Sequence, residues 1–234
     1  MVKKILYLFF AFCMGSSLYA YPVSDFFDGA SVNTGIWAVE KPLSASSISL
    51  SSGQLRIATG TAEADLWTPT NTNAPRVYQS TNRTDEWLLE TKMTFSATAS
   101  YQEAGIFLKA TGTPSNWGGY IRPLNHVYDW DGKNRVGGVT YTNSVVYLRL
   151  EKIGINFRSW YSSDGTNWNF LGSQTWDYGI TGVGLYGIRM GSAPQTLATF
   201  EYFSVTNVPE PSTVVFIVIG ALFLIGYTNF FYKG

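Results

Sequence analysis

The stretch from Tyr147 to Ser173, YLRLEKIGINFRSWYSSDGTNWNFLGS, decides the fold class. Apolar and polar residues alternate with period two, so Leu148 and Leu150 point one way and Tyr147, Arg149 and Glu151 the other. Two interruptions, Lys152-Ile153-Gly154 and Asp164-Gly165, carry turn chemistry, and Asp-Gly favours the positive φ angles of tight hairpins. The stretch therefore predicts a three-strand antiparallel meander with Leu148 and Leu150 in the core.

The same grammar recurs outward from it. SISLSSGQLRIATG (47–60) reads as strand, Ser-Ser-Gly turn and strand, and WLLETKMTFSAT (87–98) sets Leu89, Thr91, Met93 and Phe95 against Leu88, Glu90, Lys92 and Thr94. Ile106 and Leu108 oppose Phe107 and Lys109, and TFEYFSV (199–205) reads as a last strand. No helical period and no internal repeat interrupts this pattern. Many short antiparallel strands in one domain mean a sandwich or a barrel, an all-β fold.

The two ends read differently. Residues 1–20, MVKKILYLFFAFCMGSSLYA, place Lys3 and Lys4 before an apolar core from Ile5 to Met14, the layout of a secretory signal peptide too short to span a bilayer. Cleavage is expected after Ala20, although Leu18 is bulky for the −3 position; the competing reading is an uncleaved anchor. Cys13, the only cysteine, lies inside this segment, so the exported domain, residues 21–208, carries no disulfide, thiol nucleophile or thiolate metal site. The chain has 16 Lys and Arg against 16 Asp and Glu, with no basic run. Nucleic acid, which needs clustered cations to displace counterions, is set aside.

Residues 209–234 begin with Pro209, Glu210, Pro211 and Ser212, and from Thr213 to Tyr232 the chain is uncharged. Twenty residues at about 1.5 Å each make a helix of roughly 30 Å, which matches the hydrocarbon core. Glu210 before the run and Lys233 after it orient a single span with a cytoplasmic C-terminus. VPEPS followed at once by one apolar helix and a basic end resembles the PEP-CTERM sorting signal of bacteria. That resemblance implies processing by exosortase, a membrane-embedded cysteine protease, and a place in the cell envelope or an exopolysaccharide matrix. The family usually ends in several arginines, whereas here Lys233 stands alone, which leaves a permanent one-pass anchor as the alternative.

In the exported domain, FDGASVNTGIW (27–37), SSGQLRI (51–57), YQEAGIFLKA (101–110), YLRLEKIG (147–154), WYSSDGTNW (160–168), GVGLYG (182–187) and ATFEYFSV (198–205) follow one another in an order that resembles concanavalin A-like modules. The branch it resembles sits at the C-termini of bacterial β-xylosidases and in free-standing proteins of unknown role. The resemblance implies a jelly-roll sandwich of two antiparallel sheets. It also implies a candidate structural calcium ion tying the N-terminal segment to the last strand, drawing on Asp25 or Asp28 with Glu201; hard oxygen ligands suit Ca²⁺.

Several motifs compete for a chemical role. GVGLYG matches G-x-G-x-x-G but lacks the strand–turn–helix context of dinucleotide binding. SSDGTNW (162–168) is a near miss to the Asp-box and reads as a hairpin, as does DWDG (129–132), whose Gly stands at the wrong position for an EF-hand. Concanavalin A-like glucanases carry E-x-D-x-x-E on one strand; here Glu63 and Asp65 match and Thr68 stands where the third acid belongs. Asp85, Glu86 and Glu90 offer no better set, and the single histidine, His126, cannot build a triad. Sugar binding asks for a flat aromatic beside polar donors. Among eight Trp, Trp67 and Trp130 are the leading candidates, with Tyr120, Arg122 and Arg149 as hydrogen-bond donors.

The reading is an exported, non-catalytic polysaccharide-binding protein that needs no cofactor beyond the candidate calcium. Its partners are exosortase, a polysaccharide or matrix, and the membrane through the C-terminal helix. A structural or adhesive surface protein without a small ligand is the main competitor. A glycoside hydrolase is the third reading, and it requires two neighbouring carboxyls, one with a raised pKa.

Overall fold

A computed structural model describes residues 21–66, 73–82, 84, 86–110, 117–121, 126–130, 135–177 and 179–208, of which 117–121, 126–130 and 135–136 are described by their backbone alone. The signal segment and the sorting signal, Pro209 to Ser212 with the apolar run, lie outside these residues, as do Trp67 and Arg122.

Among the described residues, fourteen strands form two seven-stranded antiparallel sheets. In chain order they are β1 (Ala38–Glu40), β2 (Ser47–Ser51), β3 (Gln54–Ala58), β4 (Arg76–Ser80), β5 (Trp87–Phe95), β6 (Gln102–Ala110), β7 (Trp117–Ile121), β8 (His126–Trp130), β9 (Arg135–Thr140), β10 (Val145–Ile153), β11 (Asn156–Ser162), β12 (Asn169–Thr175), β13 (Ile180–Arg189) and β14 (Leu197–Asn207). The first sheet runs β1-β4-β13-β6-β7-β8-β9 and the second β12-β11-β10-β5-β14-β3-β2.

The alternation read from the sequence is the burial seen in the structure. Leu148 and Leu150 are fully buried, as are Leu89, Thr91 and Met93. They meet Ile106, Leu108, Val183 and Leu185 of the facing sheet in one core. The β2–β3 turn uses positive φ at Ser52 and Gly53, the conformation tight hairpins need. Two turns differ from expectation. Lys152 and Ile153 still pair with Phe157 and Asn156, so the first turn falls at Gly154 and Ile155. Asp164-Gly165 sits in a six-residue connection between β11 and β12 rather than a two-residue hairpin. The Asp164 carboxylate organises that loop, accepting from the backbone N–H groups of Thr166 and Asn167 (both 2.8 Å) and from Asn167 Nδ2 and Ser162 Oγ. These donors, led by Asn167, hold its pKa far below the ordinary carboxylate range.

GVGLYG is the middle of β13, a central strand of the first sheet. A Cβ on Gly184 would stand 1.9 Å from the carbonyl oxygen of Val77, so this glycine lets β4 approach β13. Asp129 and Trp130 of DWDG end β8, where Trp130 pairs with Arg135 of β9, and Asp131 and Gly132 lie outside the described residues.

The N-terminal segment straps the sandwich. Asp25 and Phe203 of β14 exchange both backbone hydrogen bonds at 2.8 Å, and the Gln79 side chain of β4 holds both the N–H and the C=O of Val23. Residues 23–25 therefore tie one sheet to the other.

Candidate functional site

The strap is where the calcium ligands were expected. Asp25 accepts from Phe27 N (2.8 Å) through one carboxylate oxygen and from Trp37 Nε1 (2.7 Å) through the other. Glu201 pairs with Lys92 at 2.7 Å. Asp28 does not join them: among the described residues no three His, Cys, Asp or Glu side chains group as a metal site. The link between the N-terminal segment and the last strand is made by hydrogen bonds.

The outer face of the first sheet is closed by charge pairing and by a covering segment. At its β1 end, Glu40 accepts from Tyr78 OH (2.7 Å), Lys109 Nζ (3.2 Å) and Arg76, while Lys109 lies 4.0 Å from the centre of the Tyr78 ring. Burial pushes the Glu40 carboxyl up, but these three donors outweigh it and hold its pKa below the ordinary value. Further along, Phe107 packs edge-on against both Tyr78 and Tyr186. Leu66 and Ala74 cover Phe107, Tyr186 and Ile188 in a second apolar cluster. Arg189 anchors the covering segment through the carbonyl of Thr61, and Ala64 bridges to Arg189.

Beneath that segment lie two carboxyls the sequence reading did not join. Glu103 of β6 stands opposite Ile188, and Asp65, 4 % exposed, follows Ala64 across the same strand ends. Glu103 is half-buried, and its pKa is pushed up to about 7, first by loss of hydration and second by the negative charge of Asp65. Both acids also raise the buried Tyr186 hydroxyl, again after burial itself. Asp65 was singled out with Glu63 as a partial glucanase motif. Its companion is Glu103, and Glu63 is exposed with its backbone carbonyl held by Asn73. Only the outward position of Glu103 in YQEAGIF hinted at this.

The outer face of the second sheet is open. Paired positions across five strands place Ser204, Glu90, Arg149, Trp160 and Phe170 in one row. Arg149, expected to be a free donor, instead donates to Glu90 (Nε to Oε1, 2.7 Å), and its guanidinium lies 3.8 Å from the centre of the Trp168 ring. Trp160 and Phe170 contact edge-on at 5.9 Å, and Phe170 is 59 % exposed. The next row joins Lys92 to Tyr147, with the cation 5.7 Å from the ring centre. Tyr202 flanks it, its hydroxyl pushed up to about 12 by burial and by Glu90.

Three other tryptophans are structural. Trp37, Trp87 and Trp176 are buried, Trp87 donating to Thr81 Oγ1 at 3.0 Å. Tyr120 pairs with Ile106 and Asp129, and Trp130 with Gly119, so the two proposed sugar contacts occupy adjacent register rows rather than one. Trp160, Trp168 and Phe170 are the aromatics the sequence reading did not promote; their signal was the cross-strand register with Arg149.

No family model matches the chain, and no curated protein is similar to it. Solved structures are. BlXynB, a GH43 protein from Bacillus licheniformis, is 20 % identical, superposes with a TM-score of 0.64 and covers 79 % of this chain. A xylan beta-1,4-xylosidase from Bacillus halodurans C-125 is 16 % identical with a TM-score of 0.61 over 80 % of this chain. Against either, this chain spans 39 % of the other's length. LamAcat from Zobellia galactanivorans is 9 % identical, with a TM-score of 0.54 and 97 % of its own length covered. At these identities the likeness is one of fold: the described domain is an all-β, concanavalin A-like sandwich of two antiparallel sheets.

Proposed function

We propose that this is an exported, envelope-associated protein that binds polysaccharide without cleaving it, through the outer face of its second sheet. One observation carries the reading: the row Glu90, Arg149, Trp160 and Phe170, with Trp168 beneath Arg149, presents an exposed Phe170 and half-buried Trp160 and Trp168 beside fixed polar groups. Sugar rings offer apolar C–H faces and a hydroxyl rim, and such a strip meets both. The fold, shared with modules of xylosidase-type proteins, supports a carbohydrate ligand by analogy. Delivery rests on the two termini: a signal peptide over 1–20, and Pro209, Glu210, Pro211 and Ser212 ahead of an apolar helix for recognition by exosortase.

The full-length chain in a non-ionic detergent, presented to arrayed bacterial and plant polysaccharides and followed by tryptophan fluorescence, tests this. Saturable binding weakened tenfold or more by Trp160→Ala or Phe170→Ala, without released sugar, is the expected result. No binding at all favours a purely structural or adhesive surface protein.

A second reading, glycoside hydrolysis, draws on the Asp65–Glu103 pair, since a protonated acid beside a carboxylate is the chemistry that reaction uses. Against it, Asp65 is buried and donates no open face, accepting instead from the N–H of Leu66 at 2.7 Å. Oligosaccharide release abolished by Glu103→Gln would establish it.

A further inference from the structure

On the same outer face as the aromatic row, β2, β3 and β14 frame an open groove of about 370 Å³. Leu55 and Ile57 are fully buried, so the intervening Arg56 points outward, level with Ser49 on one side and Thr199 on the other. The groove floor is pre-organised. Thr59 Oγ1 accepts from Thr196 N at 2.9 Å and lies 3.0 Å from Thr196 Oγ1, both residues being buried. Leu197, 43 % exposed, supplies an apolar wall, and Ser47, Ser49 and the exposed Gln195 supply hydrogen-bonding groups. Ala45 closes one end by resting on Gly60, where any Cβ would approach that of Ala45 to 2.5 Å.

Charge distinguishes this groove from the rest of the face. Among the described residues, Lys92 pairs with Glu201, Arg149 with Glu90 and Arg158 with Glu151. Arg56 pairs with no carboxylate among them. A guanidinium left over beside serine hydroxyls and an apolar wall is complementary to a planar or tetrahedral anion carried on a compact polar ring. A groove of this size falls at the lower end of small-molecule sites, ~300–1,000 Å³.

We infer that the Arg56 groove is a subsite for an anionic sugar unit, carboxylated or sulfated, of the polysaccharide held by the aromatic row. The inference rests on the proposed binding function and specifies its ligand class. Arg56 forms paired hydrogen bonds to the anion, Ser47 and Ser49 meet neighbouring hydroxyls, and Leu197 meets a ring face. Five inter-strand steps of ~4.8 Å separate β3 from β12, so groove and aromatic row lie on the order of 25 Å apart across the sheet. A polymer, not a single sugar, spans both.

The test uses the full-length chain in non-ionic detergent with matched polymer pairs: polygalacturonate and glucuronoxylan against their carboxyl-reduced forms, and a sulfated galactan against its desulfated form. At least one acidic polymer is expected to bind tenfold or more tightly than its neutral partner. Arg56→Gln should erase that preference while leaving the neutral form and the melting temperature unchanged, and Arg56→Lys should restore part of it. Trp160→Ala should weaken both members of the pair. Which pair shows the preference assigns the anion as carboxylate or sulfate. Equal binding of acidic and neutral forms, or a preference that survives Arg56→Gln, overturns the subsite while the binding function stands. Failure of every polymer to bind the unmodified chain removes both.

Discussion

Glu103 should make the stability of this domain fall as pH rises through the neutral range. Its carboxyl is held in the folded protein at a pKa of about 7 against an ordinary 4.5. Between those values the folded state keeps a proton that the unfolded chain has released, so stability is greatest below about pH 4.5 and declines until about pH 7. Each pH unit is worth about 1.4 kcal/mol, giving a loss of about 3 kcal/mol. For a domain of this size that corresponds to a melting temperature lower by roughly 6–12 °C. Glu40 works in the opposite sense, but its pKa is lowered, so its contribution is lost only below the ordinary carboxylate range. The test is the difference between the native chain and Glu103→Gln, which isolates Glu103 from every other titrating group. Urea unfolding at half-unit steps from pH 4.5 to 8.5 should show the decline in the native chain and most of it abolished in Glu103→Gln. Asp65→Asn should shorten the window without removing it, because burial is the larger cause and the Asp65 charge the smaller. A Glu103→Gln chain that declines as steeply as the native one refutes the reasoning.

Asp25→Ala should cost about 2–4 kcal/mol, since it leaves the buried N–H groups of Phe27 and the Trp37 indole without their acceptor; denaturant titration measures it, and Asp25→Asn, which keeps an acceptor oxygen, should cost less. Gly184→Ala should destabilise by about 3 kcal/mol, because its methyl group would meet backbone of β4 rather than a movable side chain; a melting temperature within 2–4 °C of the native value, about 1 kcal/mol, would contradict that packing. Phe170→Ala should change stability by less than about 1 kcal/mol, since the side chain is largely exposed, while lowering polysaccharide affinity tenfold or more in a titration.

Strand identity was legible because one buried face per strand forces period two, as in β5 and β10. Where the backbone breaks that period the sequence misleads. Phe200 and Phe203 are three residues apart, which regular alternation places on opposite faces, yet both are fully buried. A bulge resolves this: the pairing of β14 with β5 skips from Phe200 opposite Met93 to Phe203 opposite Thr91, and Thr91 Oγ1 caps the Tyr202 carbonyl at 2.6 Å. Two residues then face outward opposite Lys92, and one of them, Glu201, becomes its ion-pair partner. No local signal in TFEYFSV announces the extra residue. The site residues were hidden for a related reason. Arg149 and Glu90 are 59 positions apart, and their pairing depends on β5 lying beside β10, an order set by the whole sandwich.

That order also explains why the two outer faces differ in what they can do. A sheet face left open to water must either be polar or be covered, because exposed aromatic area is otherwise a liability. The first sheet takes the second course: Phe107 and Tyr186 lie under Leu66 and Ala74, and Glu40 gathers the neighbouring cations. Among the described residues, the second sheet leaves Phe170 exposed and Trp160 half-buried while pairing nearly every charge around them. Paired charges hold their side chains in place and hold little attraction for ions, so the face discriminates by shape and stacking. Arg56 is the exception, and it lies in a groove of that face with a fixed polar floor. An exposed ion pair adds little stability, so leaving this guanidinium without a described carboxylate costs the fold almost nothing and keeps it available to an anion at the β2–β3–β14 edge.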